Sequence, residues 1–286
     1  MGANTILSSW LFTRSRRMVI VMGYYEIERV ESWLYSIRDP MNVFCYLAVG
    51  DEKALLYDTV YGIGDLNEAI HEITDKPVVV VLGHGHIDHA NGAYQFESAY
   101  MHDADLKLFA LHTSPEFRAR NIDSLNEMGI EAPPGFDPDA YRNVDSGATK
   151  LISLNAGMEF DLGGGLCSEI IEMAGHTAGS MGILFRDKRT MLVSDAANAH
   201  VWMFLEESLP ISVYAKMLDR VYAIDFDTFY TGHGNEPQHK SMLMKYKKVA
   251  LAATIEKATP YGAMPELKPF LYEEDGIGIV FSEKSL

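Results

Sequence analysis

The sequence is organised around Pro77–His89, which reads PVVVVLGHGHIDH. Its first part, Pro77–Leu82, is a continuous run rich in β-branched residues, a pattern typical of a strand buried on both faces. The run ends at Gly83, and three histidines and an aspartate follow within six residues. In α/β architectures, ligands bind at the carboxyl ends of such strands. The stretch therefore predicts a buried strand that ends in a cleft lined by polar side chains.

The spacing of the histidines in this stretch suits metal binding. Alternate residues of an extended segment point the same way, so His84 and His86 can bind one cation. A turn after them would direct Asp88 and His89 toward a second cation nearby. The alternative is a histidine-rich surface loop, which the buried strand directly before the motif argues against.

Three further candidate ligands follow later apolar strands and stand beside small residues: His176 in AGHTAGS, Asp195 in VSDAA and His233 in TGHGN. Glycine beside a ligand lets the backbone approach a metal closely and adopt unusual dihedral angles. Taken singly, each of these residues is more often structural than functional. Taken with His84–His89, and in this order along the chain, they favour a metal centre.

Four motifs in this order, HGHIDH, GHTAGS, SDAAN and GHG, resemble the metallo-β-lactamase superfamily between about Asn42 and Asn235. The resemblance implies an α/β fold, a four-layer αββα sandwich with two metals at one edge between its sheets. It also implies that the first metal is bound by His84, His86 and His176. The second metal would be bound by Asp88, His89 and His233, and Asp195 would bridge both.

Nitrogen and oxygen ligands without a thiolate suit Zn²⁺, so we predict two zinc ions as cofactors, with iron or manganese as alternatives. Two such cations would lower the pKa of a shared water and yield a metal-bridging hydroxide that attacks a carbonyl or phosphoryl centre. The family motif implies that Asp88 is also catalytic, orienting the hydroxide or moving its proton. Asp58 is expected either to hold a ligand histidine through its other ring nitrogen or to cap the turn after its strand.

These residues predict a dinuclear metal-dependent hydrolase that cleaves a small ester, thioester, lactone or amide. Antibiotic hydrolysis is not expected, because β-lactamases of this fold have Cys or Ser where Asp195 stands. Homoserine lactonases have a tyrosine three residues after the bridging aspartate, where this chain has Asn198. Two alternatives keep the same ligands: a non-haem iron oxygenase similar to persulfide dioxygenases, and a thioester hydrolase similar to glyoxalase II. The latter would need cations for glutathione; His239–Lys248 has four lysines, although such a run is more often a solvated helix face.

The segment Ala199–Leu205, AHVWMFL, follows the predicted bridging aspartate and is expected to cover the metal edge. Asn198, Trp202 and Phe204 are therefore predicted to contact the substrate, with the aromatic rings favouring an apolar or aromatic substrate group. A hydrophobic plug that only closes the end of the sandwich is the alternative.

The composition limits the partners. The chain has 286 residues, with 24 Lys and Arg against 40 Asp and Glu, a formal charge of −16. This excess of acid argues against a nucleic-acid groove or an anionic membrane surface, both of which need clustered cations. We expect a small-molecule substrate and no nucleic-acid or membrane partner, and leave a homodimer open. Two cysteines and the lack of a long apolar run favour a reduced, cytoplasmic location.

We predict that residues 22–286 form a single domain and that residues 1–21 are a dispensable N-terminal extension. Hydrophobic periodicity predicts the remaining elements: strands over Tyr25–Asp58, including a hairpin of Val43–Val49 and Ala54–Tyr57; further strands from Leu151 to Val193; helices over Asp65–Ile73, Asp105–Ala119, Pro210–Ala223 and Gln238–Lys257; and a surface loop with a short helix over Asn121–Asn143. The last patterned stretch, Gly276–Phe281, is too short to classify.

Overall fold

The computed structural model describes residues 19–286, and its side chains from Gly23 onward. The first large sheet contains eight strands in chain order: β1 Val19–Met22, β2 Tyr25–Arg29, β3 Leu34–Arg38, β4 Phe44–Val49, β5 Ala54–Tyr57, β6 Val78–Val81, β7 Ser98–Met101 and β8 Lys150–Ser153. Strands β1 to β5 are antiparallel neighbours, whereas β5 to β8 run parallel. The parallel strands share one carboxyl edge, and the predicted hairpin is confirmed as β4 and β5.

Ten more strands of the described chain form two sheets: β9 Glu159–Asp161, β10 Cys167–Glu172, β11 Met181–Phe185, β12 Thr190–Leu192, β13 His200–Trp202, β14 Thr228–Thr231, β15 Gly234–His239, β16 Thr259–Pro260, β17 Phe270–Glu274 and β18 Ile277–Phe281. The second large sheet has the order β15-β14-β12-β11-β10-β9, and a small third sheet has the order β13-β18-β17-β16. Strands β12 and β14 run parallel, so the residues that follow them emerge at the same edge.

Helices cover the outer faces of the large sheets: α1 Leu66–His71, α2 Ile87–Ala90, α3 Leu106–His112, α4 Pro115–Glu127, α5 Pro138–Arg142, α6 Ile211–Ala223 and α7 Met242–Ala252. Helix α1 begins as its sequence predicts, because the Asp65 side chain accepts a hydrogen bond from the Glu68 amide at 2.9 Å. Between residues 19 and 286, no helix combines the length and the apolar character that a bilayer crossing requires.

The apolar core lies in layers because neighbouring residues of the central strands face opposite sides. Leu55 and Val81 pack between the two large sheets against Ile183 of β11. Leu56 and Val80, one residue away, pack outward against the helices of the first layer. Helices α6 and α7 cover the other outer face. Strands β5 and β6 are therefore buried on both sides, and the predicted four-layer αββα sandwich is confirmed.

Strand β1 overlaps the end of the predicted N-terminal extension. Residues Val19–Met22 pair antiparallel with Tyr25–Glu28 and form the edge of the first sheet. The last three residues of the segment predicted to be dispensable therefore belong to the sheet. Residues 1–18 lie outside the described residues, and the dispensability of 1–21 stays a prediction.

Three element boundaries differ from the prediction. The single helix predicted over Asp105–Ala119 is two helices, because Ser114 caps α4 by accepting from the Phe117 amide and Pro115 begins a new first turn. Helix α4 then continues to Glu127, into the segment predicted as loop. The helix predicted from Gln238 begins at Met242, since residues 234–239 pair with β14 instead.

The third sheet was not predicted. Its strand β18 is the stretch left unclassified, and it pairs parallel with β13, from His200 opposite Gly278 to Trp202 opposite Val280. The Met203 amide also donates to the Val280 carbonyl at 2.7 Å. The C-terminal hairpin thus holds the segment that follows Asp195.

Candidate metal centre

The seven predicted ligands come together at the carboxyl edge of the central strands. The elements that position them are the end of β6 and the start of α2 for His84, His86, Asp88 and His89, the β10–β11 loop for His176, the end of β12 for Asp195 and the end of β14 for His233. They form two groups whose ligand atoms lie within 4.8 Å of one another. The histidine group is His84, His86 and His176; the mixed group is Asp88, His89, Asp195 and His233.

In the histidine group three ring nitrogens converge. His86 Nδ1 lies 3.1 Å from His84 Nε2 and 2.9 Å from His176 Nε2, and all three side chains are buried. Burial and the neighbouring histidines lower the pKa of His84 well below its ordinary value, and burial also lowers the pKa of His176. The rings of His84 and His176 are therefore neutral at neutral pH, the state in which an imidazole binds a metal.

In the mixed group, carboxylates and imidazoles alternate. His89 Nε2 lies 3.3 Å from Asp88 Oδ2 and 3.2 Å from Asp195 Oδ1. His233 Nε2 lies 3.5 Å from the same Asp88 oxygen and 3.3 Å from the same Asp195 oxygen. The other oxygen of Asp195, Oδ2, lies 3.8 Å from His176 Nε2 in the histidine group. Asp195 therefore faces both groups, the position that a bridging ligand needs.

The charges of the mixed group stabilise one another. Burial alone would lower the pKa of His89, but Asp195 and Asp88 outweigh it and raise that pKa well above its ordinary value. The same carboxylates outweigh burial at His233 and raise its pKa. In return, these two histidines hold the pKa of Asp195 well below its ordinary range, against the effect of burial.

Two observations show that the residues fit a bound cation. The Nε2 atom of His89 is buried and has no hydrogen-bond partner among the described residues, although two carboxylate oxygens lie near it. Residue 232 is glycine where a Cβ would lie 2.6 Å from His89 Cε1 and 2.7 Å from Asp195 Oδ1. Gly232 therefore leaves room beside the unpartnered Nε2 atom of His89. The nitrogen and oxygen donors of the mixed group suit a divalent metal.

Two of the candidate ligand histidines, His89 and His176, are held from behind through their other ring nitrogen. His89 Nδ1 lies 3.0 Å from Asp58 Oδ2, and His176 Nδ1 lies 2.7 Å from the Trp202 carbonyl oxygen. Since both oxygens can only accept, each Nδ1–H donates and the Nε2 lone pair faces the site. Asp58 Oδ1 also accepts from the Gly83 amide at 2.7 Å. Asp58 therefore contacts a candidate ligand histidine with one oxygen, and with the other it binds the backbone after β6 rather than the turn after its own strand.

Two supports were missed by sequence reasoning. Ser194 Oγ donates to Asp58 Oδ2 at 2.6 Å and lies 3.3 Å from His84 Nδ1. Glu207 Oε1 lies 2.6 Å from His86 Nε2. Ser194 stands next to a predicted ligand and could have been suspected. Glu207 lies 121 residues from its partner, and no local pattern marks it.

The residues predicted to contact the substrate lie beside the site. Asn198 Nδ2 donates to Asp195 Oδ1 at 2.8 Å. Val201 and Met203 point into the outer core, whereas the rings of Trp202 and Phe204 contact each other at 5.2 Å between centroids. Their contact with a substrate stays a prediction. Two lysines of α7 are paired, Lys247 with Asp219 and Lys248 with Glu274, as expected of a solvated helix face.

The fold and the site agree with the family comparison. Residues 38–233, more than half of the chain, match the family model of the metallo-beta-lactamase superfamily. The chain belongs to this superfamily. Among solved structures, a metallo-β-lactamase from Erythrobacter litoralis superposes with a TM-score of 0.56 at 13% identity, covering 82% of this chain and 100% of that one. The sec-alkyl sulfatase PisA1 gives 0.58 at 18% identity, covering 79% of this chain and 41% of that one. At these identities the likeness concerns the fold alone.

Curated relatives are named hydrolases. The human acyl-coenzyme A thioesterase MBLAC2 is 26% identical over 178 residues, 58% of this chain and 61% of that protein. The hydroxyacylglutathione hydrolase GloC of Haemophilus influenzae is 24% identical over 161 residues, 54% of this chain and 68% of that protein. The match thus spans about three-fifths of the length of the human relative.

The raised pKa of His89 gives a test that needs no substrate. In metal-free protein we expect the His89 ring to carry two protons at pH 7.5 and to lose one when Zn²⁺ is added, because the metal must displace that proton. His84, whose pKa is lowered, is the internal control and should stay neutral throughout. The ring ¹⁵N shifts report both states. Zinc affinity should consequently fall as the pH falls; a neutral His89 in the metal-free protein would contradict the expectation.

Proposed function

We propose that the protein is a dinuclear metal-dependent thioesterase that hydrolyses a small acyl thioester. The observation that carries the proposal is the placement of Asp195, with one oxygen toward His89 and His233 and the other toward His176. This arrangement suits two cations that share one carboxylate. The names of the relatives support a thiol as the leaving group. One is named an acyl-coenzyme A thioesterase and the other a hydroxyacylglutathione hydrolase, so both names imply a thioester substrate.

Two divalent cations, zinc in our proposal, would supply an acidified water and a Lewis acid for the carbonyl oxygen. Asp88 would orient the attacking water and accept its proton. Its side chain is 20% exposed, so it reaches the solvent side of the site. His89 and His233 hold the pKa of Asp88 below its ordinary range despite burial, and the group is therefore ionised at neutral pH. An ionised carboxylate can accept a hydrogen bond from the attacking water and hold it in place.

The proposal is tested by metal analysis together with a substrate panel. We expect about two zinc per chain and turnover of short acyl thioesters that a chelator abolishes and zinc restores. Matched oxygen esters and a lactone test the preference for sulfur. A single redox-active iron with oxygen uptake on a persulfide would instead identify the oxygenase alternative. Metal binding without turnover of any panel member would contradict the enzymatic role.

Trp202 gives a test of how the acyl group is bound. We expect Trp202→Ala to lower kcat/KM for a long-chain acyl thioester by about tenfold or more, because an apolar contact is lost, and to leave the acetyl thioester nearly unchanged. Metal content should stay as in the wild type. Tyr222→Ala removes an exposed ring on α6 and serves as the control. Equal losses across the chain-length series, with a lower Tm, would favour the hydrophobic plug.

A further inference from the structure

We propose that Glu207 is a positioning residue for the metal centre and that it acts through His86. The inference rests on the metal centre of the proposed function. Glu207 Oε1 lies 2.6 Å from His86 Nε2, while His86 Nδ1 faces His84 and His176. A carboxylate can only accept, so the Nε2–H donates to Glu207. The lone pair of His86 is then on Nδ1 and points toward the other two ligand histidines.

The ring of His86 is fixed in two independent ways. Its face stacks on the His112 ring at 4.8 Å and 28°, and His112 stacks in turn on Phe117 at 4.3 Å and 27°. This stack sets the plane of the ring, but a half-turn about the Cβ–Cγ bond would keep that plane and exchange the positions of ring nitrogen and ring carbon atoms. The hydrogen bond to Glu207 selects one of these two orientations. Without it, His86 could present either nitrogen to a cation.

The loop that carries Glu207 is tied to a second ligand of the same group. Ser208 Oγ donates to the His176 carbonyl at 2.9 Å, and the Leu209 amide donates to the Gly175 carbonyl at 2.8 Å. These hydrogen bonds therefore fix the position of the backbone next to Glu207 relative to the β10–β11 loop. Loop 205–210 connects His86 with His176, two of the three members of the histidine group.

Glu207 also places a negative charge behind one member of the histidine group. The supports behind the other two members are neutral: Ser194 Oγ near His84 Nδ1 and a backbone carbonyl at His176 Nδ1. The comparable carboxylate in the mixed group is Asp58, which is fully buried behind His89. A carboxylate behind a ligand imidazole raises the basicity of the ligand nitrogen, and losing such a partner typically costs about 10–100-fold in metal affinity.

The experiment measures Zn²⁺ affinity of the full chain, stripped of metal, by competition with a chelating dye. We expect Glu207→Ala to weaken one of the two zinc equivalents by about 10–100-fold and to leave the other unchanged. Glu207→Gln keeps an accepting oxygen at the same place and should lose less. Glu206→Ala, which removes the exposed neighbouring carboxylate, is the matched control and should bind as the wild type does. An unchanged Tm of the metal-free variants shows that folding is not the cause.

Wild-type affinity for both equivalents in Glu207→Ala would overturn the inference. So would a third zinc equivalent that disappears in both Glu207→Ala and His112→Ala, since His86, His112 and Glu207 would then form a metal site of their own. If zinc affinity depends on Glu207 as expected but the wild-type protein cleaves no thioester, the inference is supported and the proposed substrate class is refuted. A wild-type protein that binds no metal would overturn both.

Discussion

Gly232→Ala is expected to abolish metal binding by the mixed group and to reduce hydrolysis by at least about 10²-fold. The added Cβ would lie 2.6 Å from His89 Cε1 and 2.7 Å from Asp195 Oδ1. The backbone cannot yield easily, because the Gly232 amide donates to the Ser194 carbonyl and its carbonyl accepts from the Phe44 amide, both at 2.9 Å. The two ligands must therefore move. Metal content per chain and turnover of a short acyl thioester measure the effect.

Gly234→Ala is the matched control for this substitution. A Cβ at residue 234 would meet only the Thr231 hydroxyl oxygen, at an ordinary 3.7 Å. We expect it to keep both metals and nearly full activity. If Gly232→Ala also keeps both, the mixed group does not bind a metal in the arrangement described.

Asp195→Ala is expected to lose one metal equivalent and at least about 10²-fold in turnover. Asp195 lies 3.2 Å from His89 Nε2, 3.3 Å from His233 Nε2 and 3.8 Å from His176 Nε2. Removing it takes away the one carboxylate that faces both groups, so two cations would repel each other with less compensating charge. Metal analysis and kcat with saturating zinc measure the two losses.

Asp187→Ala, in the exposed turn before β12, is the control and should match the wild type in both measurements. Two metals and wild-type turnover in Asp195→Ala would refute the dinuclear assignment. A protein that keeps one metal and full activity would show that the chemistry needs a single cation.

Much of this protein could be predicted from short stretches of its sequence. The β-branched run before Gly83 predicts a strand with two buried faces, and Val80 and Val81 show why, since these neighbouring residues face different cores. The seven ligands could be predicted because four of them follow that strand in one motif and the other three follow later strands beside small residues. A metal centre needs particular residue types at such ends, and that requirement leaves a local pattern.

The strands and boundaries that were not predicted correctly depend on pairing with segments distant in sequence. Residues 234–239 form a strand because β14 lies beside them, although the helix was predicted to begin at Gln238. Strand β18 exists because it pairs with β13, and five residues of apolar sequence do not carry that information. Tertiary pairing overrides local propensity in such short segments.

The sequence by itself determined the sandwich, and it predicted the candidate ligands and their order along the chain. Only the tertiary structure decided what stands behind the ligands: Glu207 at His86, the Trp202 carbonyl at His176, and the C-terminal strand that holds Trp202 in place. The physical reason is that a ligand must match the cation in chemical type, which restricts the residue. A support needs only one accepting oxygen at the right point in space, and almost any part of the chain can supply it.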